Sequence, residues 1–320
     1  QMSDAHLLFK HPEVPQYPTA DPGVIRPAVY AQGFEDVGKK LHMVADVVIV
    51  GSGPGGAAAA LQFAEAGLKV VVLEEGPATS RFRPNYGNTA RYHLQEGGGI
   101  IARGETFFPV AAGRGVGGGT LVNSALAFRT PTAVLAEWER VLKDERWGPD
   151  AVGPVIDEVE RIIGVGITPL EIAGENNKIV VRGAEALGLG GGLAPRNTPG
   201  CKGCGICNFG CPTNGKASTN LTFLPMAVAA GALIQAEVKV LEVLVEGGRA
   251  VGVRGIAIHP DTLERGGDVI VRAPRVMLSA GAIGTPRLLW HCGLGHKLGG
   301  AVGEGLHIHP GSAVLGRHPD

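Results

Sequence analysis

The stretch that decides the fold is Val47–Gly56, which reads VVIVGSGPGG. Its first four residues form a continuous β-branched run, short enough for a strand buried inside a parallel sheet. A glycine-rich turn follows, and the small residues of 57–66 predict a helix after it. Strand, turn and helix are the setting in which Gly-x-Gly-x-x-Gly indicates a dinucleotide site.

Each glycine of this fingerprint has a physical task. Gly51 permits the tight turn, Gly53 lets the backbone approach a pyrophosphate, and Gly56 lets helix and strand pack closely. The helix N-terminus adds unpaired N–H groups and the positive end of the helix dipole. The predicted phosphate-side residues are therefore Gly51, Ser52, Gly53, Pro54, Gly55 and Gly56.

A second apolar run, Lys69–Leu73, ends at Glu74-Glu75-Gly76. A carboxylate about 20 residues after the fingerprint is where the ribose hydroxyls of a dinucleotide are held. We therefore predict that Glu74, with Glu75 beside it, lies at the ribose. An acid there disfavours the 2′-phosphate of NADP, which leaves FAD and NAD as candidates.

A cysteine loop at 201–212 reads CKGCGICNFGCP. The Cys-x2-Cys-x2-Cys-x3-Cys-Pro spacing is that of the bacterial ferredoxin loop, so Cys201, Cys204, Cys207 and Cys211 are predicted to ligate an iron–sulfur cluster. Zinc fits less well because a zinc knuckle usually separates two Cys-x2-Cys pairs by a longer spacer, and disulfides or free thiols are the other alternative. A [4Fe-4S] or a [3Fe-4S] cluster fits a single run of this kind. Cys292 lies far from the loop and is predicted to be a packed thiol.

Composition excludes several classes of protein. The 320 residues carry a net charge of −1, with a pI of about 6.9, which disfavours a nucleic-acid partner. No run approaches the roughly 18 apolar residues of a membrane span. The first residues lack the basic and apolar blocks of a signal peptide, and a thiol-rich loop suits a reducing compartment, so a cytoplasmic location is expected.

Three further blocks resemble the glucose–methanol–choline (GMC) oxidoreductases. Residues 112–123, AGRGVGGGTLVN, resemble the first signature of that family, and 279–289, SAGAIGTPRLL, with 292–295 resemble the second. Residues 302–310 resemble the stretch that follows it in the family. With the fingerprint, four blocks occur in the family's order over most of residues 45–315.

The resemblance implies FAD as the cofactor. It also implies further FAD contacts, in the first signature, on the meander that meets the adenine, and at the second signature: Arg114, Gly117, Gly118, Gly119, Thr120, Asn123, Val238, Ala280 and Gly281. The implied fold class is α/β, a Rossmann-like FAD lobe of the p-hydroxybenzoate hydroxylase type with the start of a substrate domain. The cysteine loop and Lys216-Ala217-Ser218-Thr219 look closest to the long-chain alcohol oxidase branch.

The family's catalytic histidine and its partner lie near the C-terminus of longer chains, and no histidine here matches that pair. His307 and His309 lie in a strand context and are expected to be ordinary core or surface residues. No catalytic residue is therefore assigned in this chain. Three alternatives remain: an enzyme split into two chains, a cleaved enzyme, or a fragment that only holds the cofactor. We expect a second polypeptide to complete the substrate domain and to supply the base.

Six segments follow from these patterns: a Pro-rich strap (1–44), the first part of the FAD lobe (45–130), a helical substrate-side segment (131–200), the cysteine loop (201–215), the second part of the FAD lobe (216–300) and the start of the substrate domain (301–320). Helical patterns lie at 132–144, 154–163 and 177–187, and strands at 233–245, 251–258, 268–271 and 275–278.

The function expected from these features is that of an FAD-containing subunit of an alcohol dehydrogenase. Hydride passes from the alcohol carbon to flavin N5, and the cluster passes electrons to an external acceptor. Two rivals stay open. One is a non-catalytic electron-transfer or assembly subunit that holds FAD and cluster, and the other is an oxygen-using alcohol oxidase whose cysteine loop is structural.

Overall fold

The computed structural model describes residues 31–32, 40–77, 85–104, 107–189 and 192–307. Its strands are β1 (Ala31–Gln32), β2 (Leu41–Val44), β3 (Val47–Val50), β4 (Val70–Leu73), β5 (Ile101–Arg103), β6 (Phe107–Pro109), β7 (Gly166–Ile167), β8 (Pro195–Arg196), β9 (Leu233–Gln235), β10 (Val238–Glu246), β11 (Arg249–Ile258), β12 (Arg265–Arg272) and β13 (Arg275–Leu278). Its α-helices are α1 (Pro54–Glu65), α2 (Tyr86–His93), α3 (Thr132–Leu142), α4 (Pro149–Ile162), α5 (Glu175–Ala186), α6 (Phe223–Ala229) and α7 (Gly281–His291).

A five-stranded parallel sheet forms the centre, in the order β1-β9-β4-β3-β13. Every residue of β3 and β4 is buried, as expected for strands covered on both faces. Val47 and Ile49 face a core shared with helices α1 and α6, whereas Val48 and Val50 face the core on the opposite side. The α/β class predicted from the sequence is confirmed.

A second sheet, β10-β11-β12-β2, covers that opposite side. Its first three strands form an antiparallel meander, and β2 joins parallel to β12, with Leu41 opposite Val269. The strands predicted at 251–258 and 268–271 are present within β11 and β12. The single strand predicted at 233–245 is wrong, because Glu237 with φ +62° interrupts it, so that β9 joins the parallel sheet and only β10 belongs to the meander. The strap assigned to 1–44 is wrong at its end, because β2 and the short β1 are both regular strands within it. The prolines on which that assignment rested lie outside the described residues.

The helical segment at 131–200 contains the three helices expected there. Helix α4 begins at Pro149, five residues earlier than predicted, because a proline with its fixed φ is well suited to a first helical turn and Pro154 is accommodated inside the helix. Helix α5 begins at Glu175. Small two-stranded sheets, β5–β6 and β7–β8, lie outside the two main sheets.

Helix α6 was not predicted. It is short and contains Pro225, which is tolerated because it lies in the first turn. Its buried side chains, among them Phe223 and Leu224, pack against α1 and complete the core below the parallel sheet. Within the described ranges, no helix is long and apolar enough to cross a membrane.

Candidate functional site

The first glycine loop lies at the carboxyl edge of the parallel sheet, directly after β3. Gly51 has φ +97°, and a Cβ added there would collide with the carbonyl oxygen of Ser279. A Cβ on Gly56 would collide with the carbonyl oxygen of Gly51. Helix α1 begins at Pro54, and no side chain caps it, which leaves its first N–H groups available to a phosphate.

The second glycine loop packs on the first. A Cβ on Gly118 would lie 2.8 Å from the Cα of Gly53, and Gly118 itself has φ +53°. Gly119 differs, because a Cβ there would meet nothing within 4 Å. The two loops therefore meet backbone to backbone at Gly53 and Gly118, and Ser52 Oγ also accepts from the N–H of Gly117 at 3.1 Å. A surface without side chains remains open at Gly119.

The third block reaches the same edge. Ser279 donates its N–H to the carbonyl of Val50 at 2.7 Å, directly beside the first loop. Gly281 has φ +83° and open space where a side chain would stand, and helix α7 begins there. Ala280 is held by a 3.1 Å hydrogen bond from its N–H to Thr285 Oγ1. The structure thus brings together predicted site residues that are more than 220 positions apart.

The Glu74 carboxylate is the centre of these loops. It is 6% exposed and accepts hydrogen bonds at Oε2 from the N–H (3.0 Å) and Oγ (2.7 Å) of Ser52. At Oε1 it accepts from the N–H groups of Gly76 (2.9 Å) and Gly115 (3.1 Å). A carboxylate has about four acceptor positions, and here each has a donor within the protein. The ribose contact predicted for Glu74 stays a prediction, and organising the loops is a role that the sequence did not indicate.

Glu75 is the more accessible of the two acids. Its carboxylate lies 3.1 Å from Lys239 Nζ and 3.9 Å from Arg114 Nε, and its side chain is 37% exposed. Arg114 is buried and also donates from Nη2 to the Glu75 carbonyl at 3.3 Å. Nearby, Val238 is buried at the start of β10 and donates its N–H to the Glu74 carbonyl at 2.8 Å.

His93 is a buried residue that the sequence analysis missed. It ends α2, is 1% exposed, and accepts at its carbonyl from the N–H of Arg114 at 2.8 Å. The pKa of its imidazole is lowered to about 4, mainly by burial. A backbone hydrogen bond with Arg114 raises this pKa in part, and the Arg114 charge lowers it. The ring is therefore neutral near pH 7. Nothing in the local sequence marks it, since its burial depends on the glycine loop packed over it.

Thr120 and Asn123 continue the second glycine loop toward the cysteine loop. Thr120 Oγ1 donates to the Gly117 carbonyl at 2.6 Å and lies 3.1 Å from Thr219 Oγ1. The side-chain oxygen of Asn123 accepts from the N–H of Ala125 at 3.2 Å. Both side chains thus have partners within the protein beside the predicted flavin position.

Lys216 is buried where these two loops meet. It is 1% exposed, and Nζ donates to the carbonyls of Leu121 (2.8 Å), Asn123 (3.0 Å) and Cys207 (3.0 Å). Burial lowers the pKa of the ammonium to about 8, and the sulfurs of Cys207 and Cys211 offset part of that effect. In the sequence, Lys216 is marked only as the first residue of the segment 216–219, which resembles the long-chain alcohol oxidase branch.

The four loop cysteines line one cavity of about 210 Å³. Arg196, Lys202 and Lys216 also line it, and no acidic residue does so in the part of the chain that the structure describes. Arg196 Nη2 lies 3.0 Å from Cys207 Sγ, while its buried Nε has no hydrogen-bond partner among the described residues. The cavity is therefore suited to a negatively charged occupant.

The cysteine side chains are not gathered as metal ligands. Within the described residues, no group of three or more His, Cys, Asp or Glu side chains is placed so that it could hold a metal ion. All five cysteines are free thiols, which excludes the disulfide alternative in this structure. Cys292 lies in the core beside β10, where its sulfur accepts from the N–H of Val243 at 3.3 Å, and burial raises the pKa of its thiol. The packed thiol predicted for Cys292 is confirmed.

Of the two histidines weighed in the sequence, only His307 lies in the part of the chain that the structure describes. His307 is exposed, with Nδ1 2.5 Å from the carbonyl oxygen of Gly305. His309 lies outside the described residues.

The glycine loops around Gly51, Gly118 and Gly281 form a site that fits a dinucleotide. At Gly51, Gly56 and Gly118 a side chain would enter neighbouring backbone, an uncapped helix N-terminus lies beside them, and open space begins at Gly119. The residues that would hold FAD are thus the glycine loops, with Glu75 and Arg114 at their rim.

Comparison with known proteins gives two matching sequence profiles. Residues 90–311 match the sequence profile described as GMC oxidoreductase, and residues 46–90 match that of an FAD binding domain. The chain is 40% identical over 279 residues to an uncharacterized GMC-type oxidoreductase of Mycobacterium tuberculosis, covering 86% of this chain and 43% of that protein. It is 35% identical over 286 residues to a long-chain-alcohol oxidase of Arabidopsis thaliana, covering 86% and 37% respectively.

Solved structures agree on the fold. Pyridoxine 4-oxidase from Mesorbium loti superposes with a TM-score of 0.56 at 19% identity, over 78% of this chain and 52% of that one. The chain spans less than half the length of the two relatives from Mycobacterium tuberculosis and Arabidopsis thaliana.

Proposed function

The chain belongs to the GMC oxidoreductase family, and on that premise we propose that it is the FAD-binding part of an enzyme that oxidises alcohols. The observation that carries the proposal is the meeting of three glycine-bearing blocks at one sheet edge, around Gly51, Gly118 and Gly281. When bound, FAD accepts a hydride from the carbinol carbon of the alcohol.

The residues of this chain bind and orient the cofactor. The N–H groups at the start of α1 would bind the pyrophosphate, and the open backbone at Gly119 would admit a flat ring system. Glu75 and Arg114 would contact the ribose and the pyrophosphate. Glu74 holds Ser52, Gly76 and Gly115 in place through its buried carboxylate, so the glycine loops are preorganised for cofactor binding.

A proton acceptor for the alcohol hydroxyl is part of the proposal. We assign it to neither of two described histidines, since His93 is buried under the loop at Gly115 with the pKa of its imidazole lowered to about 4, and His307 is exposed. We propose that it lies in the portion of the relatives' length that this chain does not span. That a second polypeptide carries it stays a prediction, as does a cytoplasmic location.

The cysteine cavity supports a finer proposal, an iron–sulfur cluster. Support comes from the ferredoxin spacing, from the common cavity and from its cationic lining. The side-chain positions do not support it, because no ready ligand group is formed among the described residues. An external acceptor reached through a cluster would make the enzyme a dehydrogenase, whereas the Arabidopsis relative is named an oxidase.

Iron analysis decides the finer proposal. The purified protein should contain three or four irons per chain, as the two cluster types require. Cys204→Ser should lose that iron, and Cys292→Ser, which removes a thiol from the core away from the cavity, should keep it. Iron-free protein would leave the oxidase alternative and a structural cysteine loop.

Alcohol-dependent bleaching tests the activity itself. Under anaerobic conditions a long-chain alcohol should remove the flavin absorbance of the complete enzyme. Flavin that stays oxidised with every alcohol tried would favour the rival function, an electron-transfer or assembly subunit.

A further inference from the structure

Side-chain hydrogen bonds connect two loops that lie more than 80 positions apart in the sequence. One is the FAD-side turn, Leu121–Ser124, which continues the second glycine loop. The other is Cys207–Asn208 of the cysteine loop. Lys216 donates to carbonyls in both, and Arg196 Nη2 reaches the Ser124 carbonyl at 2.9 Å as well as Cys207 Sγ. Ser124 Oγ also donates to Asn208 Oδ1 at 2.8 Å.

The Lys216 ammonium is the buried member of this set. Its three N–H donors match three backbone carbonyls at 2.8 to 3.0 Å, so the group is saturated without a carboxylate. Removing it would leave those buried or partly buried carbonyls without their donor, which is costly. A saturated buried ammonium fixes the distance between the backbone segments that it bonds.

The segment that carries Lys216 is itself anchored to the glycine loop. Thr219 donates its N–H to Thr120 Oγ1 at 3.1 Å and its Oγ1 to the Gly117 carbonyl at 3.3 Å. On the other side, Ala217 and Asn197 exchange two hydrogen bonds, at 2.9 and 3.0 Å. The ammonium therefore cannot shift without moving one of the two loops.

We propose that Lys216 is a positioning residue that couples the cysteine loop to the FAD-side turn, so that FAD binding orders both. The inference rests on the proposed function, because it needs FAD to bind beside Gly117–Asn123. The coupling is reciprocal: a ligand bound in the cysteine cavity alters FAD affinity by the same factor by which FAD alters the affinity for that ligand.

Amide hydrogen exchange with and without FAD tests the coupling on the complete protein. In the wild type, FAD should slow exchange by about tenfold in peptides covering 118–125 and also in peptides covering 203–210. Lys216→Met should keep the slowing at 118–125 but reduce it at 203–210 to less than about twofold. Lys202→Met is the matched control, since Lys202 is an exposed lysine of the same cavity, and it should behave as the wild type.

Three outcomes would overturn the proposal. Wild-type slowing confined to 118–125 shows that the loops are not coupled, and this result needs no variant. Equal slowing in wild type and Lys216→Met shows that the ammonium does not carry the coupling. If Lys216→Met does not fold, Lys216→Gln replaces it, because its shorter side chain cannot donate to all three carbonyls, and slowing at 203–210 equal to that of the wild type then refutes the proposal. A wild type that binds no FAD contradicts the proposed function instead.

Discussion

At the scale of single residues, burial assigns roles that residue type does not. Glu74 and Glu75 are neighbours of the same type, yet one is a saturated buried acceptor and the other a half-exposed partner of two cations. The acid at this position was predictable from its distance to the fingerprint. Its four donors were not, because Gly115 and Ser52 reach it only through tertiary packing. Lys216 was missed for the same reason, since lysine is normally exposed.

Replacing Glu74 by Gln should destabilise the protein by about 2–4 kcal/mol, because an amide nitrogen would face N–H donors that lose a charged acceptor. Glu75→Gln is the matched control and should cost no more than about 1 kcal/mol, since its ion pairs are partly solvent-exposed. Denaturant unfolding of both variants measures the difference. Equal losses would show that Glu74 is not the centre of the loops.

His93 gives the protein a pH-dependent stability. The folded pKa of about 4 lies below the ordinary value of 6.5, so the folded state binds fewer protons than the unfolded state between these values. Stability is therefore fully present above pH 6.5 and falls as pH drops toward 4, by about 3 kcal/mol in total. Unfolding free energies measured across this range should show that slope.

His93→Gln should reduce the pH dependence of the unfolding free energy between pH 6.5 and 4, even if the substitution also lowers stability at pH 7. His42→Gln, at an exposed ring of β2, is the control and should leave the slope as in the wild type. An unchanged slope in His93→Gln would contradict the neutral buried imidazole.

At the scale of elements, the strands and the glycine loops were predictable and the connections between them were not. The β-branched runs of β3 and β4 predicted a buried parallel sheet, and the alternation in 233–271 predicted the meander. Strand β2 was missed because its pairing with β12 joins residues more than 220 positions apart. Helix α6 was missed because seven residues with a proline give a weak periodic signal.

The contact between the two glycine loops should be intolerant of a single methyl group. Gly118→Ala places a Cβ 2.8 Å from the Cα of Gly53, in addition to the strain of a positive φ. Gly97→Ala has the same sign of φ (+64°) with nothing within 4 Å, so it isolates the strain alone.

We expect Gly97→Ala to cost about 1 kcal/mol and Gly118→Ala to cost clearly more and to weaken FAD binding at least tenfold. Thermal unfolding and FAD titration of both variants provide the measurement. Equal effects of the two substitutions on stability and FAD affinity would mean that the loops do not pack as described.

At the scale of the whole molecule, sequence blocks that are far apart along the chain meet in a single site, because parallel strands end at the same edge of a sheet. The fingerprint follows β3, Glu74 follows β4, and Ser279 follows β13, so three separate stretches converge without long-range sequence signals. The second sheet closes the other face of the core. The cysteine cavity lies beyond this edge and is joined to it through Lys216 and Arg196.

The identity of the cofactor is the central claim, and release of the cofactor from purified protein measures it directly. The account predicts a yellow protein that frees a stoichiometric amount of FAD on denaturation, and a Gly118→Ala variant with much less. A colourless protein that works only with added NAD would contradict it.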